Sequence, residues 1–119
     1  MAISASYAER NSSETLIKND AAASFSVGLG DKPGEKVIIL VENNNTAGTT
    51  ATVEVLAGDY LANVYGTLSV DVVGESSAII GPLETVRYKN TASEIDCACA
   101  VTGSDATLTN VKVAVIKLP

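Results

Sequence analysis

Short segments in which β-branched and polar residues alternate are the feature that most constrains this fold. Residues 52–55, 68–72 and 111–116 are three of them. A period of two puts one set of side chains on a buried face and the other in solvent, which is typical of β-strands. Turn-forming residues separate such segments every 8–12 residues or so. The pattern predicts an all-β chain of about eight short strands.

Two apolar segments indicate where the core lies. Residues 21–29 predict a first core strand with Phe25 and Val27 pointing inward. Residues 36–42 form the most apolar run of the chain, bounded by turn residues. Such a run is typical of a central strand that is buried on both faces, or covered on its outer face by another element.

The middle of the chain is less regular. Gly81-Pro82 is expected to end a short strand at residues 78–80, because proline lacks the amide hydrogen that a strand needs. Residues 84–89 alternate in polarity, with Val86 on one side and Arg87 on the other. They predict another strand.

These elements predict a single small β-sandwich, in an immunoglobulin-like or a jelly-roll order. We expect the sandwich to span residues 21–119 and an extended N-terminal arm to span residues 1–20. The arm is polar and poorly periodic. Two interpretations of it stay open: terminal disorder, or an arm that becomes ordered on a neighbouring subunit.

Charge excludes several classes of partner. The net charge is −6, and the eight Lys and Arg residues are scattered along the chain. Nucleic acids and anionic membranes both require clustered cations, so we expect neither as a partner. The first residues do not resemble a signal peptide, and no segment approaches the ~18 apolar residues of a membrane span. The sequence therefore predicts a protein that stays in the cytosol where it is made.

Reactive side chains are scarce, which argues against an enzyme. The chain has no His to act as the base of a nucleophilic triad. Cys97 and Cys99 are two residues apart on a predicted strand and share its core face with Ile95 and Val101. A metal site needs three or four ligands, and the chain has no His or second Cys pair to supply the rest. We expect two buried thiols, no catalytic residues, no metal and no cofactor.

One loop carries an unusual concentration of large side chains. Tyr60, Leu61 and Tyr65 lie within a few residues of each other in a predicted connection. Leaving them in water is costly, so they either cap one end of the sandwich or anchor a partner. Tyrosine is enriched among the residues that contribute most to protein interfaces.

From residue 37 onward the chain resembles the head-decoration proteins of tailed bacteriophages, also called cement or auxiliary capsid proteins. The resemblance rests on TVEVLAGD (residues 52–59), IIGPLETVRY (residues 79–88) and VAVIKLP (residues 113–119). It implies a virion protein on the capsid exterior, assembled in the host cytoplasm, with the major capsid protein as partner. It also implies self-association on the capsid, for which a trimer is one form. The family carries no active site.

The resemblance leads to expectations about contacts. The arm, with Ile3, Tyr7 and Arg10, and one loop end of the sandwich, with Tyr60, Leu61 and Tyr65, are expected to contact the coat. Deleting residues 2–14 is then expected to abolish capsid binding and leave the fold intact. Two alternatives remain: a phage tail or fibre component, and a sandwich that binds carbohydrate or a cell surface.

Overall fold

Alternating segments pair into two sheets in a computed structural model that describes residues 2–8, 16–30, 36–60 and 66–118. Ten strands lie within these ranges: β1 (Ala2–Ser4), β2 (Ser6–Tyr7), β3 (Asn19–Asp20), β4 (Ser24–Gly28), β5 (Lys36–Asn43), β6 (Thr50–Val55), β7 (Leu68–Val73), β8 (Ser76–Glu84), β9 (Glu94–Thr102) and β10 (Val111–Leu118). Sheet A has the order β1-β4-β9-β6-β7, and sheet B has the order β2-β10-β5-β8, with β3 also paired to β10. The prediction of a small all-β sandwich is confirmed.

The core is built from the inward residues of both sheets, and valine predominates in it. Ala51, Val53 and Val55 of β6 have no exposed surface, and Phe25 and Val27 of β4 are buried as predicted. β-branched side chains favour this packing because they fit a pleated, buried surface. The inward faces of the two sheets therefore form one continuous apolar layer.

The apolar run in β5 is buried on its inner face and partly covered on its outer face. Val37, Ile39 and Val41 have no exposed surface, whereas Ile38 and Leu40 on the other side are half-buried. The second of the two predicted alternatives is therefore correct for part of the strand. Residues 16–18 lie against this outer face.

Gly81-Pro82 does not end a strand, and that prediction is wrong. β8 runs through both residues from Ser76 to Glu84, with a cis peptide between them and a register shift opposite Val37 and Ile39. The physical reason is position: β8 is the edge of sheet B, so a residue without an amide hydrogen is tolerated there. Gly81 has a φ of 117°, which suits the irregular register.

The predicted strand at residues 84–89 is also wrong, because Glu84 is the last residue of β8 and the chain then turns as a helix. Thr85–Tyr88 is a single helical turn (α1), and the Lys89 amide donates to the Thr85 carbonyl at 2.8 Å. The buried side chains are Thr85 and Tyr88, three residues apart, while Val86 is 44% exposed. An alternation only a few residues long fits either conformation, and packing of Tyr88 into the core decided between them.

The N-terminal residues are extended, but residues 2–7 lie inside the sandwich rather than beside it. β1 pairs in parallel with β4, and β2 pairs in parallel with β10, so the chain crosses from sheet A to sheet B. Ile3 is only 2% exposed. A boundary at residue 20 therefore does not separate an arm from a domain. Deleting residues 2–14 would remove a core side chain, so a destabilised fold is now expected in place of an intact one. Residues 9–15 lie outside the described residues.

Candidate functional site

The predicted contact residues fall in three different environments. Ile3 is a core residue. Tyr7 is half-buried on β2, and Tyr60 is 55% exposed at the end of the segment that follows β6. Arg10, Leu61 and Tyr65 lie outside the described residues. Of the predicted set, Tyr60 is the described residue that offers a large exposed surface.

Tyr7 contacts a buried lysine, Lys117, that was not predicted from the sequence. Lys117 is 3% exposed, and its ammonium group donates to the Leu29 carbonyl oxygen. The same ammonium stands 5.6 Å from the centre of the Tyr7 ring, a cation–π distance. Lys117 occupies an inward position in the period-two pattern of β10, which was the signal that could have identified it. Tyr7 therefore has a structural role beside Lys117.

The segment that carries Tyr60 is held by backbone hydrogen bonds to the chain after β8. The Gly58 amide donates to the Arg87 carbonyl at 3.1 Å, and the Asp59 amide donates to the Lys89 carbonyl at 3.2 Å. The Asp59 carboxylate in turn accepts the Thr91 amide at 2.8 Å. The backbone therefore caps this end of the sandwich, while the Tyr60 side chain stays accessible.

We call the cluster formed by Asp59, Tyr60, Val86, Arg87 and Lys89 the Tyr60 end. The Lys89 ammonium lies 5.4 Å from the centre of the Tyr60 ring. Val86 is 44% exposed in the adjoining helical turn, and Arg87 is partly exposed. An exposed tyrosine beside an arginine matches the residue types that are enriched in interface hot spots.

The outer face of sheet A is polar and acidic. Strands β1, β4, β6, β7 and β9 contain no Lys or Arg. The carboxylates of this acidic face accept hydrogen bonds from neighbours: Asp71 from Thr52 at 2.7 Å, Asp96 from Asn90 at 3.0 Å. Glu54 and Glu94 complete the set. Polar outward side chains are what an antiparallel sheet shows when one face is solvated.

The outer face of sheet B is different because its outward positions are mostly aliphatic. We call it the apolar face and define it by Ile38, Leu40, Ile79, Ile116 and Leu118. Ile79 is 70% exposed, the highest fraction among the large hydrophobic side chains described. The two sides of the sandwich therefore present opposite chemistry.

A cleft of about 370 Å³ lies at β4 and β9 of sheet A. Its described lining is Ser24, Phe25, Ser26, Leu56, Asp96 and Cys97. Asp96 and Cys97 are the ionisable groups in that lining. Burial, together with the nearby Asp96 charge, raises the pKa of Cys97 to about 12. At neutral pH this thiol is protonated and cannot act as a nucleophile.

The expectation that both cysteines belong to the core is confirmed. Cys97 and Cys99 are 1% and 4% exposed and are not joined by a disulfide. Burial also raises the pKa of Cys99. Both therefore pack in the core as small hydrophobic side chains, as buried free cysteines usually do.

These thiols are expected to be unreactive in the folded protein between pH 7 and pH 9, because desolvation keeps them protonated and burial excludes the reagent. A maleimide or an aromatic disulfide reagent followed by mass spectrometry measures this. Unfolding in guanidinium chloride is the control, in which both cysteines should react. Labelling of the folded chain at the rate of the unfolded one would contradict the burial.

The described parts of the chain offer no metal site, since no three His, Cys, Asp or Glu side chains lie close enough together to share an ion. Within the same ranges no helix has the length and apolarity needed to cross a membrane.

Comparison with known proteins gives no assignment. No protein family, curated protein or solved structure matches the chain. The resemblance to phage head-decoration proteins thus stays a prediction.

Proposed function

We propose that this protein is a structural component of a tailed-bacteriophage particle, without enzymatic activity, that binds the outside of the expanded capsid and stabilises it. The proposal draws its biological context from the resemblance in residues 52–59, 79–88 and 113–119. The major capsid protein is the partner, and the capsid exterior is the location.

The observation that carries the proposal is the exposed Tyr60 end. Its backbone is fixed against α1 and the turn after it, so little conformational entropy is lost when the Tyr60 side chain is buried by a partner. Lys89 and Arg87 add two cations there. Asp59 of the same cluster and Glu84, whose carboxylate lies 3.8 Å from the Arg87 guanidinium, balance their charge. This combination favours a preformed protein-binding surface.

Stabilisation follows from mass action. A ligand that binds the expanded shell and not the unexpanded one stabilises the expanded state by its binding free energy at each site. Repetition over a symmetric shell multiplies a modest gain per copy. No chemical step is required.

The test is co-sedimentation of the purified protein with expanded, undecorated capsids, with unexpanded shells as control. We expect saturable binding to expanded shells in a fixed ratio to coat subunits. No binding to either shell would contradict the proposal and favour the alternatives, a tail or fibre component or a glycan-binding sandwich.

Tyr60→Ala is expected to weaken capsid binding by about tenfold or more, because truncating a hot-spot tyrosine costs about 2 kcal/mol or more and ~1.4 kcal/mol is already tenfold. The matched control is Val73→Ala: Val73 is 57% exposed, close to the 55% of Tyr60, and lies at the opposite end of sheet A. Binding curves for both variants, measured by the same co-sedimentation, give the comparison. Equal effects of the two substitutions would remove the Tyr60 end from the contact.

A further inference from the structure

We propose that the apolar face of sheet B is the interface of a face-to-face homodimer. The proposal does not rest on capsid binding and can be tested on the isolated protein. A sheet whose outer face meets water normally carries polar side chains on that face. Sheet A follows that pattern, and sheet B does not.

Pairing register brings the outward aliphatic residues of sheet B together. Leu40 lies opposite Ile79 on one side and Ala114 on the other, and Ile38 lies opposite Ile116. Cross-strand neighbours on one face are close enough to form a continuous surface. These strands therefore carry two adjacent apolar rows rather than isolated exposed residues.

Residues 16–18 cover only part of this surface. They lie beside Leu40 and Ala114, and Ala114 is 2% exposed. Ile79 remains 70% exposed, and Ile17 of the covering segment is itself 59% exposed. The covering segment thus adds to the apolar surface that faces outward.

The charges on this face are balanced, which favours a second copy of this acidic chain as the occupant. Lys18 pairs with Glu42 at 2.9 Å, and Lys112 pairs with Asp20. Lys36 lies opposite Glu84 in the register. Among the described residues of this face, three cations therefore stand beside three anions, and their charges balance.

Two copies of a chain with a net charge of −6 repel each other in most orientations. Meeting through the neutral face removes the local repulsion and points both acidic faces outward. Twofold symmetry is the commonest symmetry of homo-oligomers, and it would bring the apolar face of one copy against the same face of the other. Two sheets pack this way at an angle of about 30°.

The dimensions of the face predict a weak dimer. β5 and β10 have eight residues each, so they are about 27 Å long. Across β10, β5 and β8 the sheet is about 14 Å wide, which gives a plan area on the order of 400 Å². Standard interfaces use roughly 800 Å² per partner. We expect a dissociation constant on the order of 100 μM.

Sedimentation equilibrium from about 10 μM to about 1 mM brackets that constant. The apparent mass should rise from 12.2 kDa towards twice that value. Ile79→Lys should raise the dissociation constant at least about tenfold, since it puts a charge in place of the most exposed aliphatic side chain of the apolar face. Val73→Lys is the control: it makes the same charge change at a valine that is 57% exposed at the edge of sheet A, and it should alter the constant by less than about twofold.

Both substitutions make the net charge less negative, so greater repulsion cannot explain a loss of dimer. A wild-type protein that keeps its monomer mass over the whole range would overturn the proposal. So would equal weakening by both variants. If the wild type stays monomeric while Ile79→Lys abolishes binding to expanded capsids, the face belongs to the coat contact and the homodimer is wrong.

Discussion

Gly74→Ala is expected to lower the free energy of unfolding by about 3 kcal/mol or more, because a side chain at this position has no room. Gly74 lies at the corner where the chain leaves β7 in sheet A and enters β8 in sheet B. A Cβ atom there would lie 1.9 Å from the Thr46 carbonyl oxygen and 2.6 Å from the Thr49 hydroxyl oxygen.

The corner cannot relax easily to admit that atom. The Gly74 amide donates to the Thr49 carbonyl at 2.9 Å, and the next amide, of Glu75, donates to the Asn43 carbonyl at 2.8 Å. Moving the corner away from Thr46 would stretch these bonds and disturb both sheets. Urea unfolding followed by circular dichroism measures the loss.

Gly28→Ala is the matched control. Gly28 lies in β4, and the nearest atom to a Cβ there is the Ile3 carbonyl oxygen at 3.9 Å, an ordinary contact. Alanine also reduces the freedom of the unfolded chain, so this variant should be unchanged or more stable by up to about 1 kcal/mol. Equal unfolding midpoints for the two variants would show that the corner can accommodate a Cβ atom at position 74, which would contradict this prediction.

Asn43→Asp is expected to cost about 3–5 kcal/mol at neutral pH, because it breaks a buried hydrogen-bond network and leaves a charge in it. Asn43 has no exposed surface. Its amide nitrogen donates to the Val72 carbonyl at 2.9 Å, which links sheet B to sheet A. Its side-chain oxygen accepts the backbone and side-chain N–H groups of Asn45 at 3.1 and 2.9 Å.

The loss should depend on pH in a defined direction. A carboxylate cannot donate to the Val72 carbonyl, whereas a protonated carboxyl can. The unfolded chain ionises an Asp near pH 4, and the folded state resists that ionisation. The penalty should therefore be small below about pH 4 and grow as the pH rises above it.

Asn44→Asp makes the same charge change at the neighbouring, exposed position and should cost less than about 0.5 kcal/mol. The quantity to measure is the difference in unfolding free energy between the two variants, at pH 3.5 and at pH 7. Taking this difference cancels the titration of the other carboxyl groups. A difference that stays constant with pH would contradict a buried charge at position 43.

The burial of Asn43 and Asn45 could not be predicted from the sequence. The run of asparagines at residues 43–45 is typical of a surface turn, since asparagine tolerates left-handed backbone angles. Asn44 fits that reading. Asn43 and Asn45 are buried, and Asn45 exchanges hydrogen bonds with the Thr107 backbone, 62 residues away in the chain. Partners that distant leave no local signal.

Some residues of the candidate surfaces could be found from the sequence, and others only from the structure. Tyr60 was identified from its residue type and its loop, with capping and partner binding both left open, and the structure leaves its side chain 55% exposed. Ile3 and Tyr7 were expected outside the sandwich, but short parallel pairings to β4 and β10 draw them in. The apolar face was not predicted, because the outward residues of β5, β8 and β10 form one surface only after these strands are paired.

The sequence by itself determined the all-β class, the inward Phe25 and Val27 of β4, and the burial of both cysteines. The physical reason is that a period of two is local: each strand reports which of its faces is apolar. Only the tertiary structure decided that β8 continues through Pro82, that residues 85–88 turn as a helix, and that β7 and β8 belong to different sheets. These outcomes depend on which strand lies at an edge and which side chain reaches the core, and both are set by contacts between residues far apart in the chain.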